Sequence, residues 1–395
     1  MNDPAGPPAQ SRTRLFARFL RFGALAFGGP VAQIGMIRDE LVERERWISR
    51  ERFNRTLAVY QALPGPEAHE LCVYFGTIAG GRIGGLLAGL GFMLPGFVLV
   101  LALAAVYVEY GVSSTVLASV LAGFQPAVAA LIVRAVVRIA RHALTHPWLW
   151  IAAAGGAAAQ FVEAPFWVPL LTAGFSYTFV VRRHYPLAIG TLIVGGLAIA
   201  LTADPGAATV ATVTLATGDP PGILSLLGSG FKAGLLTFGG AYTAIPFVRR
   251  DAVIAGRWMT DAQFLDSLAL SGILPAPLII FGTFVGYVGA GLDGAVMMTI
   301  GIFAPAFAFT LVGHNQLERL VNEPRTHAFL DGVAASVVGL IAVTAVRLLP
   351  AAIPDIGAGL IFAGALAGMI LWKARWNVLG IMLAAGVAGF VLDRL

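Results

Sequence analysis

Apolar residues in this chain come in runs too long for strands, and arginines punctuate the gaps between them. The stretches 86–108, 113–133 and 185–203 stay apolar long enough to cross a bilayer as helices, which takes about 20 residues. Two shorter runs, 148–162 and 165–181, return to Arg182-Arg183 and read as a helical hairpin. Two other stretches break the pattern. In "RFGALAFGGPVAQIGMIRDE" the run from Leu15 to Ile37 is cut by Gly28, Gly29 and Pro30, and the run 53–82 is cut by Pro64, Gly65 and Pro66. Glycine and proline interrupt helices, so each of these stretches is predicted to be two half-helices.

Arginines flank the first interrupted run on both sides: Arg12, Arg14 and Arg18 at its start, Arg38 and Arg44 after it. A single crossing would put one cluster outside, against the rule that such loops stay cytoplasmic. A re-entrant hairpin with its tip at Gly28-Gly29-Pro30 keeps both inside. The same logic predicts that 53–82 turns at Pro64-Gly65-Pro66 and comes back at Arg82. The loop 38–55 mixes six arginines with five acids and reads as a salt-bridged, solvated face.

Composition turns this pattern into a compartment. The chain has 395 residues, 58% hydrophobic and 12% charged, with a mean hydropathy of +0.82. A soluble domain carries about 25% charge, so the solvent here is lipid. The expected fold class is an all-α polytopic membrane protein. The net charge of +5 forms no single basic face, so nucleic acid is not an expected partner. One cysteine, Cys72, excludes an internal disulfide and a thiolate metal cluster. No His/Glu spacing resembles a metal site, and no removable signal peptide is read at the N-terminus.

The chain also repeats itself. At an offset of 211, Phe27-Gly28-Gly29 falls on Phe238-Gly239-Gly240, Arg46-Trp47 on Arg257-Trp258, and Pro64-Gly65-Pro66 on Pro275-Ala276-Pro277. Between Leu25 and Pro66, 15 of 42 positions are identical. Further on the offset drifts to 209, where Arg138 meets Arg347. The organisation read from this is a first transporter repeat at 12–181, a linker with an inverting transmembrane helix at 182–222, and a second repeat at 223–393. Arg134, Arg138 and Arg141 mark a cytoplasmic end of the first copy, Arg182-Arg183 another. One further span, 185–203, then crosses, and no Lys or Arg occurs from Thr202 to Gly230. The second copy is thus expected to start outside. The halves are expected to be inverted repeats with broken or re-entrant helices, a plan common to secondary transporters. The N-terminus is expected in the cytoplasm and the protein in the cell's inner (plasma) membrane, with lipid as a partner.

Irregular backbone at membrane depth persists only where protein or a wet cavity covers it. A broken helix offers free N–H groups and about half a positive charge at the start of its second half. Two inverted copies would bring such tips together as an anion site. Gly28, Gly29, Gly239 and Gly240 are the expected backbone contacts, and Phe27, Pro30 and Phe238 beside them and Pro64, Gly65, Pro66, Pro275 and Pro277 at the other tips are expected to bind the anion too. Gln33 and Tyr242 are expected side-chain donors. Arg21 aligns with Lys232 and the pair is read as attracting the anion.

With these residues the chain resembles the chromate ion transporter family, in its duplicated two-domain form. "FGGP" followed by Gln33, "LPGP" at 63–66, and "FGGAYTAIP" and "LPAP" in the second half carry the likeness over about 12–391. The resemblance implies efflux of chromate, with sulfate as a related substrate, driven by the proton gradient. It departs from equivalence between halves where Ala241 replaces Pro30 and Ala276 replaces Gly65.

For proton coupling, Glu67, His69 and Glu70 follow the first proline turn, and ionisable groups at membrane depth are functional hypotheses by default. Glu163, in the tip of the middle hairpin, reads as an external loop charge. His142 and His327 lie near expected loop ends and read as solvated. An anion channel or an importer on the same architecture stays open beside the carrier, and a homodimer is an open option. No cofactor is expected, and a membrane enzyme lacks a dinucleotide fingerprint, a flavin site, haem-type spacing and paired thiols.

Overall fold

The computed structural model describes residues 6–8, 10–111, 115–203, 218–237, 240–321, 324–372, 374 and 376–394. Among the described residues the regular structure is helical, with no strand. Five helices are long and apolar enough to cross a membrane: Glu67–Tyr110, Thr115–Ala143, Tyr185–Thr202, Leu278–Gly313 and Thr326–Ala352. The protein is an all-α polytopic membrane protein.

The first copy opens with α1 (Arg12–Ala24), capped by Ser11, and α2 (Gly29–Ile37). A π-helical turn, Arg38–Arg44, leads to α3 (Arg50–Ala62), where Ser49 accepts from the Arg52 N–H. Then come α4 (Glu67–Val106), α5 (Thr115–Ala143), α6 (Pro147–Phe161) and α7 (Trp167–Val181). Helix α8 (Tyr185–Thr202) buries only Ala188 and Gly195 and is apolar all round, as a lipid-facing span should be.

The elements then recur in order. Helix α9 (Ile223–Leu235) stands where α1 stood. A 3₁₀ turn, Ala241–Ala244, runs into the short α10 (Ile245–Arg249) and a π-helical turn, Arg250–Ala255. Thr260, at the repeat position of Ser49, caps α11 (Asp261–Ile273) in a reciprocal box with Gln263. The chain closes with α12 (Phe281–Val321), α13 (Pro324–Ala352), α14 (Ile356–Leu371) and α15 (Asn377–Leu392).

Both predicted breaks are present. The helix stops between Ala24 and Gly29, with Gly28 and Gly29 at φ 91° and 76°. It stops again between Ala62 and Glu67. Helix α4 is itself a folded hairpin: Gly80 (φ −150°, ψ 23°) and Gly81 (φ 64°, ψ −162°) reverse the chain. Gly76 lies against Gly84 and Ala88 across the bend, so closely that a Cβ would meet the Gly84 carbonyl oxygen at 2.4 Å. Ala290 (φ −151°, ψ 38°) and Gly291 (φ 58°, ψ −146°) do the same in α12, where Gly286 lies against Gly294. The arm 82–106 is about 37 Å long at 1.5 Å per residue, enough to span. The arm 67–79 is about 20 Å long, which is not.

Packing repeats as well. A Cβ on Gly23 would lie 2.3 Å from the Phe92 carbonyl oxygen, and one on Gly234 would lie 2.3 Å from that of Ile302. Thus α1 seats on α4 as α9 seats on α12, backbone to backbone, the close approach that small residues allow in membranes. The terminal hairpins are exchanged: α6 and α7 pack on α13, while α14 and α15 pack on α5. Asp266 of α11 ties the copies from within, accepting from Tyr107 Oη at 2.8 Å and Gln125 Nε2 at 2.9 Å.

Three expectations need correction. Arg134, Arg138 and Arg141 do not end the helix: α5 continues through them to Ala143. Glu163 is not a solvated loop charge: it is 5% exposed and ion-paired with Arg347. Loop 38–55 is salt-bridged as expected, but its charges also reach α1, with Arg18 on Glu45 and Arg21 on Glu40.

Candidate functional site

A cavity of about 570 Å³ lies between the interrupted segments of the two copies. All four helix starts that the breaks create contribute to its wall, through Gly28 and Gly29, Glu67, Gly240, and Leu278. Phe27, Pro30 and Tyr242 line it with them, and Ala276 stands for the second proline turn. Phe238 and Gly239 lie outside the described residues.

The α5 face is the cavity's cationic wall. Arg134, Arg138 and His142 follow one another at i, i+4 and i+8, so they share one side of the helix, and all three line the cavity. Arg134 is half-buried and Arg138 exposed. Among the described residues neither guanidinium has a hydrogen-bond or carboxylate partner. Their charges act on each other and on the Tyr242 phenol. Opposite, α13 contributes His327 and Asp331, 3.8 Å apart, and the start of α15 contributes Asn377. Trp376 also lines the cavity and packs on Phe27, the rings tilted at 47° with centroids 5.2 Å apart.

Other expected site residues do not line the cavity. Gln33 is 1% exposed, and its amide nitrogen donates to the carbonyl oxygens of Ala26 at 2.8 Å and Ala276 at 3.0 Å. Both its hydrogens are therefore committed within the protein. Arg21 donates to Glu40 at 2.7 Å, and Lys232 is ion-paired with Asp251. These two contacts occupy matching positions in the copies, and they bind α1 and α9 to the π-helical turns that follow. Pro64, Gly65, Pro66, Pro275 and Pro277 form the turns behind the tips. Of the three ionisable groups after the first turn, only Glu67 reaches the cavity, hydrogen-bonded to Gln61. His69 packs between the rings of Phe303 and Phe307, each 4.8 Å away. Glu70 is fully buried against Gly65, with no hydrogen-bond partner for either oxygen among the described residues.

The arrangement can hold a small anion: unpaired cations, a phenol, and open helix starts surround a space large enough for an oxyanion with its waters. The sequence profile of the chromate transporter family matches residues 13–196 and 224–390. The chain belongs to the chromate transporter family. It is 53% identical over 395 residues to the chromate transport protein of Pseudomonas aeruginosa, covering 98% of this chain and 94% of that one. It is 32% identical to the chromate transport protein of Cupriavidus metallidurans, covering 93% and 90%. An uncharacterized transporter of Methanocaldococcus jannaschii is 25% identical, covering 97% and 94%. No solved structure matches. The family is one of transporters rather than enzymes, and the breaks described above fall within its two matched segments.

Proposed function

We propose that the chain is a secondary active carrier that exports chromate from the cytoplasm, accepts sulfate as a related substrate, and is coupled to the proton gradient. The observation that carries this reading is a single cavity bounded by the interrupted segments of both copies. The copies, 12–181 and 223–393, are antiparallel about the linker 182–222. Arg138 lies on the open cavity, while its repeat partner Arg347 is closed onto Glu163 in the α6–α7 turn. An inverted pair with one half-path open and its mirror closed is what alternating access requires. Glu67 exchanges a proton with the cavity, and because a carboxylate repels an oxyanion, proton and substrate occupy it by turns. Glu70, one helical turn on and sealed from the cavity, is a second station for the proton.

The test is flux of radiolabelled chromate in proteoliposomes, with and without an imposed pH gradient. A carrier of this kind gives saturable uptake that follows the gradient, and excess sulfate reduces it. Uptake indifferent to the gradient removes proton coupling. Unsaturable conductance in a planar bilayer replaces the carrier with a channel.

A further inference from the structure

We propose that the seat for the oxyanion is the α5 pair Arg134 and Arg138 together with Tyr242, and that it selects a dianion. This deepens the transport reading and rests on it. The glycines at the helix breaks shape the cavity, but the structure offers stronger partners for a doubly charged ligand. Arg134 and Arg138 are one turn apart on a single helix face, open to the cavity, and without a carboxylate among the described residues. Two like charges one turn apart on a helix repel each other, and no carboxylate among the described residues offsets that repulsion. A ligand of two negative charges does so, and a planar fork matches a tetrahedral oxyanion's oxygens two at a time. Tyr242 adds a hydroxyl donor from the second copy.

The repeat supplies an internal control. At the offset of 209, Arg134 corresponds to Val343 and Arg138 to Arg347. Arg347 is neutralised by Glu163 and also donates to the Phe161 carbonyl oxygen at 2.7 Å. So one copy keeps a free cation pair and the other keeps a single, satisfied arginine. The two carboxylates on the cavity wall are otherwise engaged, Glu67 with Gln61 and Asp331 beside His327.

The test separates binding from transport. Labelled sulfate, a dianion without chromate's oxidising power, is bound to purified full-length protein in detergent, and labelled chromate flux is measured in proteoliposomes. Wild type is expected to bind sulfate, with chromate competing and nitrate not. R134Q and R138Q should each weaken sulfate binding and raise the KM for chromate at least tenfold, R134K should lose less, and R141Q should match wild type. R138Q alters an exposed side chain, so it keeps the test alive where R134Q fails to elute as a folded protein. Wild-type sulfate binding that both glutamine variants retain unchanged overturns the seat, and so does nitrate competing as well as chromate. Absence of sulfate binding by wild type overturns it too. Sulfate binding lost in the variants, in a protein that moves no chromate, upholds the seat and sinks only the transport reading.

Discussion

Gly65 donates its backbone N–H to the carbonyl oxygen of Thr237 at 2.8 Å, tying the proline turn of one copy to the interrupted segment of the other. The matching contact on the other side would join Ala276 to Ala26. There the Ala276 N–H turns instead to Leu274, and Gln33 bridges the two carbonyls. One side chain thus stands in for a backbone hydrogen bond that the departure from symmetry removes.

Replacing Gln33 with alanine should therefore act on stability rather than on affinity. It leaves the buried carbonyls of Ala26 and Ala276 without their donor, at a cost of about 1–3 kcal/mol each. Thermal unfolding in detergent should fall while the KM for chromate stays put. A raised KM with unchanged stability would make Gln33 a ligand after all.

Glu163→Gln should loosen the closed half-path. Its ion pair with Arg347 is shielded, with side chains 4% and 18% exposed. Breaking such a pair costs up to about 3–5 kcal/mol. Labelling of a cysteine placed at Phe166, which packs on Phe247 beside this latch, should rise, and the exchanged variant E163R/R347E should restore part of the protection. Unaltered labelling would deny the pair any gating role.

Glu67→Gln should uncouple flux from the pH gradient. The variant keeps the hydrogen-bonding shape at the cavity wall but has no group that gains and loses a proton in the working pH range. Chromate counterflow between equal pools should persist, while gradient-driven uptake falls at least tenfold. If the gradient still drives uptake, the proton travels by another group.

Cysteines introduced at Arg44 and Arg257 should be labelled from opposite sides of the membrane. Both positions are exposed, and the natural Cys72 is fully buried, so it contributes no background. Labelling of both from one side would refute the antiparallel arrangement.

The breaks were legible because glycine and proline announce them locally and the offset of 211 shows them twice. The reversals at Gly80-Gly81 and Ala290-Gly291 were half legible: the first sits in "GGRIGG", while the second sits in "GYVGAGLDG", where the glycines are spread out and only Gly291 takes the left-handed turn. In the sequence Arg134 and Arg138 look like a cytoplasmic end, since arginine composition alone does not separate a cavity wall from a loop. The usable signal was their spacing, which His142 continues at the same interval. Glu163 looked solvated because its partner, Arg347, lies 184 residues away. Asp266 gave no signal at all: its partners Tyr107 and Gln125 come from two other helices.

The exchanged terminal hairpins set an order for assembly. Thr115–Ala143 carries Arg134 and Arg138, but the helices that clad it, Ile356–Leu371 and Asn377–Leu392, leave the ribosome long after it. Domains made first usually fold first; here the early half must wait in the bilayer, its cationic helix unsheathed, until those two later helices have been made. Truncation before Ile356 therefore strips the first half of its cover as surely as it shortens the second.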